Sequence, residues 1–158
     1  MIIKGKRIFL IYLNFSLRHN LFKQHIKTVM AYIFEEETFK IRQCIYEVHK
    51  QMGCGFSEKL YQDALEYEFI LQGIPYERER HLTYNYKGKV MEHDYFLDFL
   101  CYGQIIVELK AVHELENIHK AQVYNYLRAT DLDVALLANF GDTKCQIERL
   151  FNFYKNKS

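Results

Sequence analysis

Hydrophobic residues recur at helical spacing early in residues 36–153 and at strand-like spacing later, and this order restricts the fold. Glu36–Met52 and Glu58–Gln72 each carry an apolar stripe with the period of an α-helix. Three β-type runs, a third helical segment and an apolar strand follow: residues 76–86, Tyr95–Tyr102, Ile105–Leu109, Leu115–Ala129 and Val134–Ala138. Ile147–Phe153 fits either a further strand or a final helix. This succession predicts an α/β protein whose mixed sheet has helices on both faces.

Charge is divided unevenly along the 158 residues. The formal net charge is +1, but residues 1–34 carry six basic residues and no acidic one, whereas the remaining 124 residues carry 15 basic and 20 acidic ones. We therefore predict a basic N-terminal extension over residues 1–35 and a folded domain over residues 36–158. For the extension the sequence leaves open a basic arm, a secretory signal and a native start at Met30. No apolar run reaches the roughly 18 residues that span a bilayer, so we expect no membrane association.

The four cysteines are scattered along the chain and form no CxxC pair. They are Cys44, Cys54, Cys101 and Cys145. Structural zinc sites and iron–sulfur clusters need closely spaced ligands, so this spacing speaks against both. We interpret the cysteines as reduced thiols, which predicts a cytoplasmic protein.

Two apolar strands around Gly103 are each interrupted by one carboxylate. Asp98 and Glu108 lie at equal distances from Gly103, so a hairpin turning there places them opposite each other, with Cβ atoms ~4.5–5.5 Å apart. Opposed like charges are destabilising, and a divalent cation between them offsets the repulsion. Lys110 lies two residues beyond Glu108 and therefore shares its face of the strand. The alternative is a surface pair of Glu108 and Lys110, with Asp98 unrelated to it.

The same residues occur within a recognisable set of motifs. Gly55–Tyr61 reads Gly-x-x-Glu-x-x-Tyr, and the flanking segments are IYEVHK at 45–50, YFLDF at 95–99, IIVELKAV at 105–112 and HKAQVYNYLR at 119–128. Over about residues 36–152 the chain resembles the GxxExxY proteins, a family of the PD-(D/E)XK nuclease superfamily close to its RecB-like branch. The resemblance implies a nuclease-like mixed sheet of four to five strands flanked by helices. It departs at Phe96, where many members carry an arginine.

The resemblance assigns roles to the residues of the hairpin. Asp98, Glu108 and the carbonyl of Leu109 are implied to hold Mg²⁺ or Mn²⁺, which prefer oxygen ligands. Lys110 is implied to orient or deprotonate a water, and deprotonation requires its pKa to be lowered. Glu58 is implied to add an outer or second-metal carboxylate. The alternative for Glu58 is an acid that only suits the positive end of a helix dipole.

Three further residues match the RecB-like pattern. Gln122 and Tyr126 are four residues apart on one helix face, where they are implied to position the lysine and the substrate backbone. Their alternative is a polar helix face with a core tyrosine. His49 is implied to contact the metal, and its alternative is a surface or hydrogen-bonded histidine.

The expected function is a Mg²⁺- or Mn²⁺-dependent nuclease that hydrolyses nucleic acid, with DNA favoured over RNA. The alternative is a non-catalytic module of the same fold that binds nucleic acid or protein. The acidic balance of the domain speaks against tight general DNA binding, which relies on a basic surface. A local basic rim would compensate for this acidic balance where DNA binds. Its residues would be Lys59, Arg78, Arg80, Lys87 and Lys89.

Overall fold

The computed structural model describes residues 33–153, apart from the side chains at positions 92 and 94. Within that range the chain forms three helices and five strands. They are α1 (Glu35–Met52), α2 (Glu58–Gln72), β1 (Tyr76–Tyr86), β2 (Lys89–Cys101), β3 (Ile105–Lys110), α3 (Asn117–Thr130), β4 (Val134–Asn139) and β5 (Gln146–Phe151). The predicted basic extension over residues 1–35 lies almost wholly outside the described residues.

The five strands form one mixed sheet in the order β1-β2-β3-β4-β5. β3 and β4 are parallel, joined through α3, and the other neighbouring pairs are antiparallel. Every residue of β4 is buried, as expected for the apolar run Val134–Ala138. The predicted mixed sheet is confirmed, and five of its strands lie within the described residues.

α2 and α3 cover opposite faces of the sheet. On one face the ring of Phe99 packs edge-on against Phe69 of α2, with centroids 5.3 Å apart. On the other face Val123 and Leu127 of α3 pack in one cluster with Ile106 of β3. Alternation along β3 thus sends Ile106 and the residues that follow it at every second position toward α3.

Local signals account for the ends of α2. Ser57 is the N-cap, with its hydroxyl oxygen accepting a hydrogen bond from Leu60 N at 3.4 Å. Gly73 ends the helix in the left-handed conformation, with φ 66°. The predicted bounds of α2 are confirmed residue for residue.

The structure defines the extent of the outer strands, which the sequence had left partly open. β2 is continuous over Lys89–Cys101, and its register with β1 shifts between Leu82 and Tyr84. The segment near the C-terminus that fitted either a strand or a helix forms β5, because it pairs with the buried edge of β4. Within residues 33–153, no helix is long and apolar enough to cross a membrane.

Candidate active site

The β2–β3 hairpin has the register predicted from the sequence. Phe99 pairs with Val107 and Cys101 with Ile105, and the turn between them uses positive φ at Tyr102 and Gly103. Continuing this register brings Asp98 opposite Glu108. The regular pairing ends one step earlier, and Leu109 N donates instead to Asp98 Oδ2 at 2.7 Å. The side chain of Asp98 therefore replaces a backbone ladder bond.

Asp98 lies where the side chains of β2 change faces of the sheet. Leu97 packs in the cluster around α3, whereas Phe99 packs against Phe69 of α2, although alternate residues of a regular strand share a face. Glu79, which falls opposite Asp98 in the β1–β2 register, has φ 50° and does not pair. This irregularity frees the Asp98 carboxylate to point toward β3.

Glu108 and Lys110 lie on the α3 side of β3 and contact each other. Lys110 Nζ donates to Glu108 Oε1 at 2.7 Å and to the Leu109 carbonyl oxygen at 3.0 Å. Glu108 is 3% exposed, and its second oxygen, Oε2, has no hydrogen-bond partner. We refer to Asp98, Glu108 and Lys110 as the acidic centre.

Burial dominates the electrostatics of the two acids. Loss of hydration raises the pKa of Asp98, and the hydrogen bond from Leu109 N opposes that change. Loss of hydration and the charge of Asp98 together raise the pKa of Glu108 to about 7, although Lys110 lowers it. One lysine therefore does not compensate the buried carboxylate of Glu108 and the partly buried carboxylate of Asp98.

The expectation of a lowered pKa for Lys110 is not met. Burial alone lowers the pKa of Lys110, but the charge of Glu108 and the hydrogen bond to it outweigh burial, so the pKa is raised. Lys110 is thus held as an ammonium ion. This state suits it to orienting a water or an anion, and it does not suit proton abstraction.

The Gly55–Tyr61 motif forms the entry to α2 and presents Glu58 toward the acidic centre. The charge of Glu58 raises the pKa values of Asp98, Glu108 and Lys110, so it lies near all three. Tyr61 is fully buried, and its hydroxyl donates to the Gly53 carbonyl at 2.8 Å and accepts from Phe56 N at 3.2 Å. Its ring stacks on Phe140 with centroids 4.7 Å apart.

Tyr61 therefore fastens the loop that positions Glu58, a role that the sequence analysis missed. Gly55, with φ 107°, supplies a backbone conformation that other residues rarely adopt. The spacing of the motif was the available signal, because a tyrosine one turn after a helix start can reach back to the preceding loop.

Gln122 and Tyr126 approach the acidic centre from α3. Gln122 Nε2 donates to the Tyr126 hydroxyl at 2.7 Å. Tyr126 is buried, and burial raises the pKa of its hydroxyl, with Glu108 raising it further and Lys110 lowering it. The structure thus brings this pair close to the acidic centre.

His49 and Phe96 are occupied by other contacts. His49 Nε2 lies 2.9 Å from the Asp142 carbonyl oxygen, and the ring lies 6.3 Å from that of Phe140. Phe96 is half exposed and its ring centroid lies 5.2 Å from that of His81. In the described part of the chain, no three His, Cys, Asp or Glu side chains form a ready-made metal site. Glu58 and His49 therefore do not complete one ligand set with Asp98 and Glu108 in this structure.

The predicted basic rim is largely neutralised. Lys59 pairs with Glu79, and Arg80 pairs with Glu77. Arg78 binds Asp63 and Glu66 of α2 and donates to Gln62 Oε1 at 3.3 Å; we call these four residues the Arg78 cluster. Three of the five cations of the predicted rim are therefore paired: Lys59 and Arg78 with acids distant in sequence, and Arg80 with an acid three residues away.

A buried amide braces the chain immediately after the acidic centre. Asn139 Oδ1 accepts from Val112 N at 3.0 Å and Gly141 N at 3.1 Å, and its Nδ2 donates to the Val112 carbonyl at 2.8 Å. A Cβ at Gly141 would lie 2.2 Å from that same carbonyl oxygen. Phe140 N also donates to the Lys110 carbonyl at 2.8 Å. The ends of β3 and β4 are thereby joined, which holds Lys110 in place.

Comparison with known proteins yields a family match and a structural likeness. The family model of the PD-(D/E)XK nuclease superfamily matches residues 35–150, which include the whole acidic centre. The crystal structure of SSO0001 resembles this chain with a TM-score of 0.42 and 14% identity, over 73% of this chain and 77% of that one. No curated protein matches the sequence at a significant level.

Proposed function

Because the chain belongs to the PD-(D/E)XK nuclease superfamily, we propose that it is a nuclease that hydrolyses nucleic-acid phosphodiester bonds with Mg²⁺ or Mn²⁺. The superfamily and its α/β fold are shown by the family match. The narrower assignment to the GxxExxY proteins and the RecB-like branch is part of the proposal. It is supported by Gly55, Glu58 and Tyr61, and by the pair Gln122 and Tyr126.

The single observation that carries the proposal is Glu108 Oε2, a buried carboxylate oxygen without a partner. An isolated buried polar atom costs stability unless something binds it. Asp98 adds a second, partly buried carboxylate across the hairpin, and the Leu109 carbonyl adds a third oxygen. An all-oxygen donor set suits Mg²⁺ and Mn²⁺ better than softer metals.

The chain's own residues supply the remaining chemistry. Asp98, Glu108 and the Leu109 carbonyl would hold the cation, which would supply a water of lowered pKa and positive charge for a phosphodiester. Lys110, held as an ammonium ion, orients the attacking water and attracts the scissile phosphate. Tyr126 accepts a hydrogen bond from Gln122, so its own proton remains available to a substrate oxygen.

Glu58 contributes as an outer carboxylate whose charge attracts the cation from the entry of α2. The metal contact implied for His49 stays a prediction. DNA is the favoured substrate. The cytoplasm is the favoured compartment, because Cys44, Cys54, Cys101 and Cys145 are free thiols.

Isothermal titration calorimetry and a cleavage assay test the proposal together. Wild-type protein should bind Mn²⁺ and cleave at least one member of a panel of labelled single- and double-stranded DNA and RNA, and EDTA should stop cleavage. Asp98→Asn keeps an acceptor for Leu109 N but removes the charge, so it should lose metal binding. Lys110→Ala should bind metal without cleaving. Nucleic-acid binding without cleavage or metal binding would instead favour the non-catalytic module.

A further inference from the structure

A cleft separates the outer part of the β1–β2 hairpin from α3. Its volume is about 660 Å³, within the range of roughly 300–1,000 Å³ that is typical of ligand sites. Leu82, Tyr84, His93 and Tyr95 belong to the strand wall, and Gln122 belongs to the helix wall. The hairpin thus extends beyond the sheet core to form one side of a binding site.

The lining combines ring faces with uncharged hydrogen-bonding groups. Tyr84 and Tyr95 are exposed, and Gln122 and Asn125 offer amides on the opposite wall. His119 Nδ1 accepts from Glu116 N at 2.9 Å, which leaves its other nitrogen for a ligand. Among the described side chains that line the cleft, none belongs to Asp, Glu, Lys or Arg.

The cleft adjoins the acidic centre. Tyr126 lines the cleft. Its hydroxyl lies close enough to Glu108, Lys110 and Asp98 for their charges to affect its pKa. Gln122, which donates to that hydroxyl, also lines the cleft. A molecule in the cleft is therefore next to the groups that would act on a phosphodiester.

This chemistry favours unpaired bases over a duplex. A duplex keeps its bases stacked inward and is held chiefly by cations on its phosphates. Two cations on the neighbouring elements are already paired, Arg80 with Glu77 and Lys120 with Glu148, and the lysines at the end of the hairpin, Lys87 and Lys89, lie outside the cleft lining. Aromatic faces instead stack on unpaired bases without regard to sequence, and amides bind base edges.

We infer that this cleft binds unpaired bases of a single-stranded nucleic acid beside the bond to be cut. The inference rests on the proposed nuclease function and narrows its substrate class. A strand in the cleft stacks bases on Tyr84 and Tyr95 and carries its backbone past Tyr126 to the acidic centre.

Fluorescence anisotropy in EDTA tests the cleft separately from catalysis. The probes are labelled oligothymidylate, labelled oligouridylate and the same oligothymidylate paired with oligoadenylate. The wild type should bind the single strands more tightly than the duplex. The double variant Tyr84→Ala/Tyr95→Ala should bind the single strands about tenfold or more weakly. Tyr67→Ala, which removes an even more exposed tyrosine from α2, should bind like the wild type.

Equal loss of affinity in the double variant and in Tyr67→Ala overturns the inference, as does preferential binding of the duplex. A wild-type dimer that the double variant converts to a monomer also overturns it, because a second copy then fills the cleft. Loss of single-strand binding in the double variant of a protein that never cleaves supports the cleft and refutes the nuclease. Cleavage with unchanged binding in the double variant refutes the cleft alone.

Discussion

The acidic centre and the Arg78 cluster each oppose two carboxylates with one cation, yet only one of them is satisfied. In the Arg78 cluster the guanidinium binds both Asp63 and Glu66, and Asp63 is more than half exposed to water. In the acidic centre Lys110 reaches Glu108 Oε1, while Oε2 stays buried without a partner. In the first cluster, solvent water and the guanidinium of Arg78 together satisfy both carboxylates. In the second, no group of the described chain binds Glu108 Oε2.

The difference identifies what each cluster contributes. A satisfied ion pair links α2 to β1 and stabilises the fold. An unsatisfied one lowers stability and persists where it provides a function. The comparison therefore predicts that substitutions in the acidic centre impair cleavage and metal binding, whereas equivalent substitutions in the Arg78 cluster leave both unchanged.

The largest expected effect is on cleavage. Glu108→Gln conserves shape but removes a metal-binding charge, so the cleavage rate should fall on the order of a thousandfold. Glu66→Gln makes the same change in the Arg78 cluster and should leave the rate unchanged. Single-turnover assays at saturating Mn²⁺ measure both rates. Equal losses in the two variants would show that the acidic centre has no special role.

Next in size is stabilisation by metal. At a Mg²⁺ concentration a hundredfold above Kd, binding should raise the free energy of unfolding of the wild type by about 2.7 kcal/mol, which corresponds to a rise of about 5–11 °C in Tm. Glu108→Gln should show no such rise, whereas Asp63→Asn should keep it. Thermal unfolding by circular dichroism, with and without EDTA, measures the shift. A rise of equal size in Glu108→Gln would contradict the assignment.

A smaller effect concerns stability without metal. Arg78→Ala should lower the free energy of unfolding by about 1–2 kcal/mol. Most of this loss should come from the pair with Glu66, because the pair with Asp63 is more exposed and exposed pairs contribute little. Arg80→Ala, which removes an exposed pair with Glu77, should cost less. Urea denaturation in EDTA compares the two variants. If Arg80→Ala lowered the free energy of unfolding more than Arg78→Ala, the Arg78 cluster would have no special structural role.

The smallest effect concerns Glu58. Glu58→Gln should weaken Mg²⁺ binding only about fivefold, because its charge acts on the acidic centre across solvent-exposed space. Glu68→Gln, at the other end of α2, is the control and should bind Mg²⁺ like the wild type. Calorimetric titration measures the affinities. Complete loss of binding in Glu58→Gln would make Glu58 a direct ligand.

Local features of the sequence were sufficient to predict the hairpin and α2. A turn centred on Gly103 fixes the register of the two apolar runs that flank it, because the register of a hairpin follows from the position and length of its turn. Ser57 and Gly73 mark the ends of α2 because caps depend only on neighbouring residues. The opposition of Asp98 and Glu108 followed from that register.

Features that depend on tertiary contacts escaped prediction. The partners of Arg78 lie on α2, at least 12 residues away in sequence, and no periodicity encodes such a pairing. The raised pKa of Lys110 reflects a balance between burial and Glu108 that only the folded geometry determines. The face change at Asp98 depends on Glu79 in the neighbouring strand.

The side-chain amide of Asn139 joins the ends of β3 and β4. The backbone N–H groups bonded to it should therefore be among the last to exchange with deuterium. Val112 N and Gly141 N are bonded to a fully buried side chain, and they should exchange only when the whole domain unfolds. The outer part of β1 is mostly exposed and should exchange through local opening. The proposed cleft is thus lined on one side by the more labile part of the sheet, whereas Asp98, Glu108 and Lys110 lie beside its most protected part.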